Sequence, residues 1–397
     1  MSVIKAKCGT DCNTCKFKEK FNCFGCNKQE GKVFWGECDI YKCAASKGLK
    51  HCGECDELPC KDLTNFIENG HNPDRLSNLK KWRKEAMHDC CTTNDDTFIR
   101  AREFMYRNAR PLDLARFQYH FENGSKEAVI NALSYYQNDD GGFGHAVEAD
   151  CWNPNSIPLH SNTASDIIRE IDFEDANHPV IQGLLKWYGS GEHFNGKTWA
   201  ITVPSNNDYP HAPWWHTDSI SSCHTDYNGT SQIAGFIVRY AEPGSELFNL
   251  GIRVVNEAID ALSPKEIMDM HTCTCYIRMK EYIEIADATD LVPYDELKAK
   301  LKESVNKLIV TDKTKWSAYM CKPSQFISSR ESEYYADNKD IAEYECDFIV
   351  NTQLSDGSWD IPWRWNDFAD EWAISKNWWK GCNVVLNLLY LKGFGRI

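Results

Sequence analysis

No stretch of this 397-residue chain approaches the roughly 18 continuous apolar residues that a membrane-spanning helix needs. The opening MSVIKAK lacks the apolar core of a secretory leader, so a reducing cytoplasm is the expected compartment. Also missing are a phosphate-binding loop, a dinucleotide-binding glycine run after a strand and a Gly-x-Ser-x-Gly elbow. Nucleotide-binding and serine-hydrolase designs are therefore not expected. Cationic surface is scarce too: 44 Lys and Arg face 58 Asp and Glu, a net charge of −14. Through Cys60 ten lysines balance eight acidic residues, so the acidity belongs to the remainder, which carries no basic stripe. Such a chain repels a phosphate backbone, and nucleic acid is not an expected partner.

What is abundant is cysteine, crowded at one end. Ten of nineteen lie between Cys8 and Cys60: Cys8, Cys12, Cys15, Cys23, Cys26, Cys38, Cys43, Cys52, Cys55 and Cys60. So short a stretch buries too little apolar surface to hold itself together, and coordinate bonds must replace the missing core. The pairs Cys12/Cys15, Cys23/Cys26 and Cys52/Cys55 have the C-x-x-C spacing by which one tight turn offers two thiolates to one ion, with Gly25 and Gly53 permitting the turn. Ten thiols complete two four-cysteine sites and leave two over. Which of Cys8, Cys38, Cys43 and Cys60 complete which site stays open. Two structural zinc ions are expected, with an iron–sulfur cluster as the alternative.

The strings CGTDCNTC, CFGC and FWGECDIYKCAASKGLKHCGECDELPC resemble a bacterial cysteine-rich domain family of unknown function that is presumed to bind zinc. The resemblance extends over about ninety residues, since Asp74 to Met87 is an amphipathic stretch like that family's tail. It implies a metal-binding module at 1–92, able to recruit a protein partner. Cys90 and Cys91 read as linker thiols.

The remainder, 93–397, is long enough for one sizeable core. Apolar residues recur at three- and four-residue spacing in 96–108, 111–122, 126–137, 163–171, 179–188, 229–240, 247–262, 265–286, 294–309, 339–353 and 375–391. Ser125, and Ser263 followed by Pro264, mark helix starts. Convincing period-two strands are missing, so the main domain is expected to be all-α. A faint repeat runs through it: NALSYYQNDDGGF (131–143) and DFIVNTQLSDGSW (347–359) share a helix, a Gln, an Asp-Gly and a closing aromatic. Trp199 and Trp316 close similar units without the Gln. Helix-pair units of this kind predict a ring or solenoid of helical hairpins.

The Q-x-x-D-G-[GS]-[FW] units at Gln137–Phe143 and Gln353–Trp359 resemble the QW motifs of the terpene cyclase and protein prenyltransferase superfamily. That resemblance implies an α/α toroid with a central cavity. It also implies that Asp140 and Asp356 serve the scaffold, that each Gln bonds a neighbouring helix end, and that the aromatic packs over it. The family's D-x-D-D acid is absent, as is the Asp-x-Cys of its zinc site; the chain has only Glu345-Cys346-Asp347.

Three loop-rich segments carry an excess of His, Trp and carboxylates: 145–160, 204–226 and 356–379, the last with six tryptophans. They are expected to meet at one cavity. Glu148 and Asp150 are candidate catalytic carboxyls, although a spacing of two in an extended loop aims them apart; His216 completes the acid–base set. Trp152, Trp214, Trp215, Trp363 and Trp365, with Trp378 and Trp379, offer aromatic faces to a hydrophobic small molecule. His216, Asp218, Cys223, His224 and Asp226 form a second polar constellation, with metal-ligating residue types. His271 and Cys275 are one helical turn apart. These residues predict an enzyme acting on a terpenoid or prenyl substrate. The alternatives are a carbohydrate-active toroid and a non-catalytic ligand-binding or sensor protein.

Overall fold

The computed structural model describes residues 4–397 except 16, 56, 70, 71, 73, 225 and 263–267, and no side chain at 83–95 or 222. The chain divides into two compact units, 1–96 and 97–397, close to the expected boundary. Among the described residues no helix is long and apolar enough to cross a membrane.

Unit 1 holds α1 (Phe17–Lys20), a two-residue hairpin of β1 (Lys32–Val33) and β2 (Gly36–Glu37), α2 (Asp39–Ser46), α3 (Lys61–Glu68) and the start of α4 (Arg75–Asn108). Its core consists of Ala6, Cys8, Cys26, Cys38, Ile40, Leu63, Leu79 and Trp82, three of them cysteines. A core so small and so rich in thiols leaves little hydrophobic free energy to oppose chain entropy. Separate helices were expected at 74–87 and 96–108, yet α4 runs through both. Neither Gly nor Pro interrupts Arg75 to Asn108, so nothing breaks the backbone ladder. The side chains of Cys90 and Cys91 lie outside the described residues.

Unit 2 is all-α. From the end of α4 it continues through α5 (Pro111–Phe121), α6 (Lys126–Ser134), α7 (Pro158–Glu170), α8 (Pro179–Gly189), α9 (Thr230–Tyr240), α10 (Glu246–Asp260), α11 (Met270–Ile285), α12 (Tyr294–Leu308), α13 (Tyr335–Thr352) and α14 (Ala369–Gly393). Sequence neighbours pack as hairpins: α5 on α6, α9 on α10 and α11, α11 on α12, α13 on α14. The last helix also packs on α5, so the two ends of the unit meet. Ser125 caps α6, its Oγ accepting Ala128 N–H at 3.1 Å. The expected cap at Ser263–Pro264 lies outside the described residues. Helix α7 starts at Pro158, five residues earlier than its periodicity suggests, because proline is preset for a first helical position.

The two Gln units are built alike. Gln137 Nε2 donates to Gly141 O (2.9 Å) and to Val180 O (3.0 Å) at the start of α8. Gln353 Nε2 donates to Gly357 O (2.9 Å) and to Thr97 O (2.9 Å), the first residue of the unit. Gly141 and Gly357 have φ of +97° and +92°, and a Cβ on either would collide with the carbonyl of Gly183 or Arg100. Asp140 Oδ1 accepts Gly142 N–H and Asp356 Oδ1 accepts Ser358 N–H, both at 2.9 Å. These aspartates are turn-formers. The four closing aromatics, Phe143, Trp199, Trp316 and Trp359, are all buried.

Candidate functional site

The three aromatic segments of unit 2 do converge. The first begins with two consecutive left-handed residues, His145 (φ 57°) and Ala146 (φ 59°). Each costs about 1–2 kcal/mol for a residue with a Cβ; Asn153 O accepts the His145 N–H (3.0 Å), His145 Nε2 meets Asn138 Oδ1 (2.8 Å), His160 Nδ1 accepts the Glu148 N–H (3.4 Å), and Arg110 holds Ala146 and Val147. Its Nη1 donates to Ala146 O (2.8 Å) and Val147 O (3.3 Å), and its Nε donates to Asp113 Oδ2 (2.7 Å). The segment is thus a tight turn and not the extended loop expected. The correction matters, because the turn seats the Glu148 carboxyl on the Asp150 backbone, where its Oε2 accepts the Asp150 N–H at 2.9 Å and lies within reach of the Asp150 charge.

The second segment is fastened to the first by its backbone. Trp152 N–H donates to Pro210 O (2.9 Å) and Ala212 N–H to Asp150 O (2.8 Å). Buried Asn153 bonds Asn206 (2.9 Å), whose own Nδ2 donates to Trp215 O (3.1 Å). The third segment closes over Asp150. Trp365 Nε1 donates to Asp150 Oδ1 (2.8 Å) and Trp363 Nε1 to Oδ2 (3.1 Å). Trp152 donates to Ser375 Oγ (2.8 Å) and stacks on Trp378 with centroids 5.3 Å apart. The indole N–H groups of Trp379 and Trp215 face Asp150 and Glu148 respectively without closing a regular hydrogen bond.

Glu148 is 8% exposed and Asp150 3%. Burial pushes Glu148 far above the usual carboxylate range, and the neighbouring Asp150 pushes it further; the Asp150 N–H and the Arg110 charge oppose this only in part. Burial also raises Asp150, but indole N–H donors restrain that shift. The two carboxyls therefore titrate as one coupled pair, each displaced upward by burial. No lysine or arginine among the described residues forms an ion pair with Asp150 (the ion pairs nearby belong to Arg110, Asp113, Arg116 and Glu170).

Other expected members stand apart. Trp214 is 43% exposed. His216 is half in solvent; its Nδ1 meets His211 Nε2 (3.2 Å) and its Nε2 lies 3.4 Å from Asp218, which is almost fully exposed. His211 Nδ1 donates to Tyr209 O (2.6 Å), so its Nε2 is the acceptor for His216. His224 bonds Thr198 Oγ1 (3.1 Å), Cys223 bonds Thr217 Oγ1 (3.3 Å), and Asp226 caps Asn228 N–H (2.8 Å). Apart from the His216–Asp218 pair these side chains turn to different partners, and among the described residues they form no metal-holding group of three. His271 and Cys275 also diverge, His271 Nε2 to the Tyr319 hydroxyl (3.0 Å) and Cys275 Sγ to Gly229 N–H (3.4 Å).

Two contributors were not anticipated. Tyr319, 44% exposed, packs edge-on against Trp363 at 5.3 Å, and partial desolvation followed by the Asp150 charge raises its phenol. Arg110, Asp113 and Arg116 form a buried relay on α5, which Glu170 and His120 extend: Arg116 Nη1 donates to Asp113 Oδ1 (3.1 Å) and Arg116 Nε to Glu170 Oε1 (2.9 Å), and His120 Nε2 lies 3.0 Å from Glu170. The sequence signal was present, as charges at i, i+3 and i+6 fall near one helical face.

In unit 1 the thiols form two neighbourhoods. Burial, then the thiols of Cys26, Cys15, Cys8 and Cys23, push Cys12 up to about 12. Burial, then Cys8, Cys60, Cys43 and Cys55, do the same for Cys52. Cys38 belongs with Cys26 and Cys8. Gly25, at φ +88°, makes the expected turn, and its missing Cβ leaves room for Cys12 Sγ. As placed, no group of three or more His, Cys, Asp or Glu among the described residues has metal-holding geometry. Exposed Phe21, Phe34 and Trp35 form a patch, Phe21 stacked on Phe34 at 4.3 Å.

A protein-family model described as a protein of unknown function, DUF3795, matches residues 4–65. The match ends before the helical tail that the resemblance was expected to include. No curated protein matches the chain significantly, and neither does any solved structure. What the chain is similar to is therefore a cysteine-rich family of unknown function, over unit 1 only.

Proposed function

We propose that unit 2 is an α/α toroid enzyme acting on a hydrophobic substrate of prenyl or terpenoid type, with Glu148 as proton donor and Asp150 as the stabilising charge. One observation carries this reading: two buried carboxyls, both pushed towards their neutral forms by burial, sit in one turn where three aromatic segments converge. Burying a carboxylate without a cationic partner costs several kcal/mol, a cost associated more with sites than with scaffolds. The proton leaves the Glu148 carboxyl for the substrate, and the cation so formed faces the Asp150 charge and the rings around it. Two carboxylates side by side repel, so Glu148 then takes a proton back from the product-forming cation. The step needs only these two carboxyls; Trp152, Trp363 and Trp365 wall it in. The toroid is supported by the packing of α14 on α5 and by the paired Gln units.

The test is incubation with a panel of prenyl diphosphates, polyprenols and oligosaccharides, read by mass spectrometry. Turnover of the prenyl class, lost by at least about 100-fold in Glu148→Gln, supports the reading. Turnover of oligosaccharides alone replaces it with the carbohydrate alternative, which an acid–carboxylate pair beside aromatic platforms also suits. If no member of the panel is turned over but one binds, the non-catalytic alternative holds.

For unit 1 we propose two structural zinc ions, one held by Cys12, Cys15, Cys23 and Cys26 and the other by Cys43, Cys52, Cys55 and Cys60, with Cys8 and Cys38 between them. All-thiolate sets of four fit tetrahedral zinc, with an iron–sulfur cluster as the alternative. The exposed Phe21, Phe34 and Trp35 suit the recruitment of a protein partner.

A further inference from the structure

We infer that Arg110 is the positioning residue of the carboxyl pair: it clamps the left-handed turn that seats Glu148 against Asp150, and its charge eases release of the Glu148 proton. The inference rests on the acid–base reading of that pair.

Consecutive left-handed residues with side chains do not persist unaided, and His145 and Ala146 lie immediately before the Val147–Asp150 turn. The Arg110 head is held on several sides. Nε is fixed by Asp113, Nη2 lies 3.5 Å from Cys382 Sγ, and the guanidinium plane lies 5.4 Å from the Trp378 ring. Trp378 stacks on Trp152, which belongs to the same segment as the carboxyls. So restrained, Nη1 points at the carbonyls of Ala146 and Val147 and at little else. Only a planar, multi-donor fork makes this set of contacts; a lysine ammonium in the same place keeps the charge and loses the geometry.

Charge assigns the second role. Arg110 and Arg116 are opposed by Asp113 and Glu170, with His120 on the far side of Glu170. Arg110 is the member of this group whose donors reach the Glu148 turn, and its charge favours the Glu148 carboxylate. Asp150, on the other side of Glu148, opposes it, as does burial, while the Trp215 indole N–H favours the carboxylate weakly. Arg110 therefore keeps the Glu148 proton transferable and does not let burial lock it in place. It touches neither substrate nor reacting atoms.

The test uses the full-length protein and the infrared band of protonated carboxyl groups followed through a pH titration, with Glu148→Gln and Asp150→Asn assigning the band. Wild type is expected to show a neutral carboxyl at pH 7 that Glu148→Gln removes. Arg110→Gln should hold that proton to a pH about one unit or more higher, and amide exchange at 148–151 should quicken by about tenfold or more as the clamp is lost. Arg110→Lys should restore most of the titration but not the slow exchange, which separates the charge from the fork. Should Arg110→Gln unfold, Arg110→Lys alone decides. Its exchange must quicken while its titration stays within about half a unit of wild type. A band assigned to Glu148 that titrates alike in wild type and Arg110→Gln, or unchanged exchange in Arg110→Lys, overturns the inference and leaves the acid–base reading standing. Burial pushes Glu345 up to about 7 as well, so a wild type with no neutral carboxyl at pH 7 that Glu148→Gln removes overturns both.

Discussion

The two units bury different things. Unit 2 hides isoleucine, leucine, valine and aromatic rings in one continuous core, and groups buried charges as in Arg110–Asp113–Arg116–Glu170, with Glu148 and Asp150 set apart from such ion pairs. Unit 1 hides Cys8, Cys26 and Cys38 beside a handful of apolar side chains. Cysteine occurs in both but has different work: Cys151 and Cys346 in unit 2 are small apolar fillers that no other thiol perturbs, whereas Cys12 and Cys52 in unit 1 are each raised by four others. Where apolar area is plentiful a thiol is packing; where it is scarce, thiols stand where packing should be.

The sharpest way to break this contrast is to remove the metal proposed for unit 1. Cys52→Ser, or chelation, is expected to unfold unit 1 entirely while the helical signal and melting of unit 2 stay put, because coordination is coupled to folding only where the core is too small. Elemental analysis should find two equivalents of metal before and about one or fewer after. A Cys52→Ser protein whose unit 1 amides remain protected would place unit 1 alongside unit 2 as a self-sufficient core.

A smaller effect is expected inside unit 2, where packing does the holding. Trp359→Ala should cost about 3–5 kcal/mol in denaturant unfolding, since its ring is buried and its N–H donates to Ile349 O at 2.8 Å. Gln353→Ala should cost less, about 1–3 kcal/mol, by leaving two carbonyls without their shared donor. Equal losses from the two substitutions would mean that the Gln bridges, more than the closing aromatics, hold the hairpins.

The smallest expected change has the opposite sign. Because folding raises the pKa of Glu148, the folded state keeps a proton that the unfolded chain releases, so stability falls as pH rises above the unfolded value of about 4.3. Glu148→Gln removes that dependence. It should melt at or above wild type at pH 7 to 8, with the gain shrinking towards pH 4. A variant less stable than wild type at pH 8 would show that the carboxyl serves the scaffold.

Much of unit 2 was readable because its helices follow apolar periodicity that nothing interrupts, and because both Gln units state their turn chemistry outright in Asp-Gly. The meeting of the three aromatic segments was readable from composition. The pairing of Glu148 with Asp150 was not, since extended geometry aims residues two apart to opposite sides, and it is a long-range contact from Arg110 that stabilises the left-handed turn. Tyr319 escaped notice because its loop has no unusual composition. The run from 75 to 108 was misjudged as two helices because a composition change was taken for a structural break.

One bond in unit 2 has a consequence for how the unit comes apart. The contact that Gln137 makes with the next helix is made again by Gln353, but to Thr97, the first residue of the unit. A row of hairpins with free ends behaves as a one-dimensional lattice, fraying from its termini inwards and needing capping members to stay soluble. In the toroid proposed for unit 2 the last member uses the ordinary neighbour bond to reach the first, so that joint gives fraying no free end at which to start. In such a ring the end repeats are as indispensable as the middle ones.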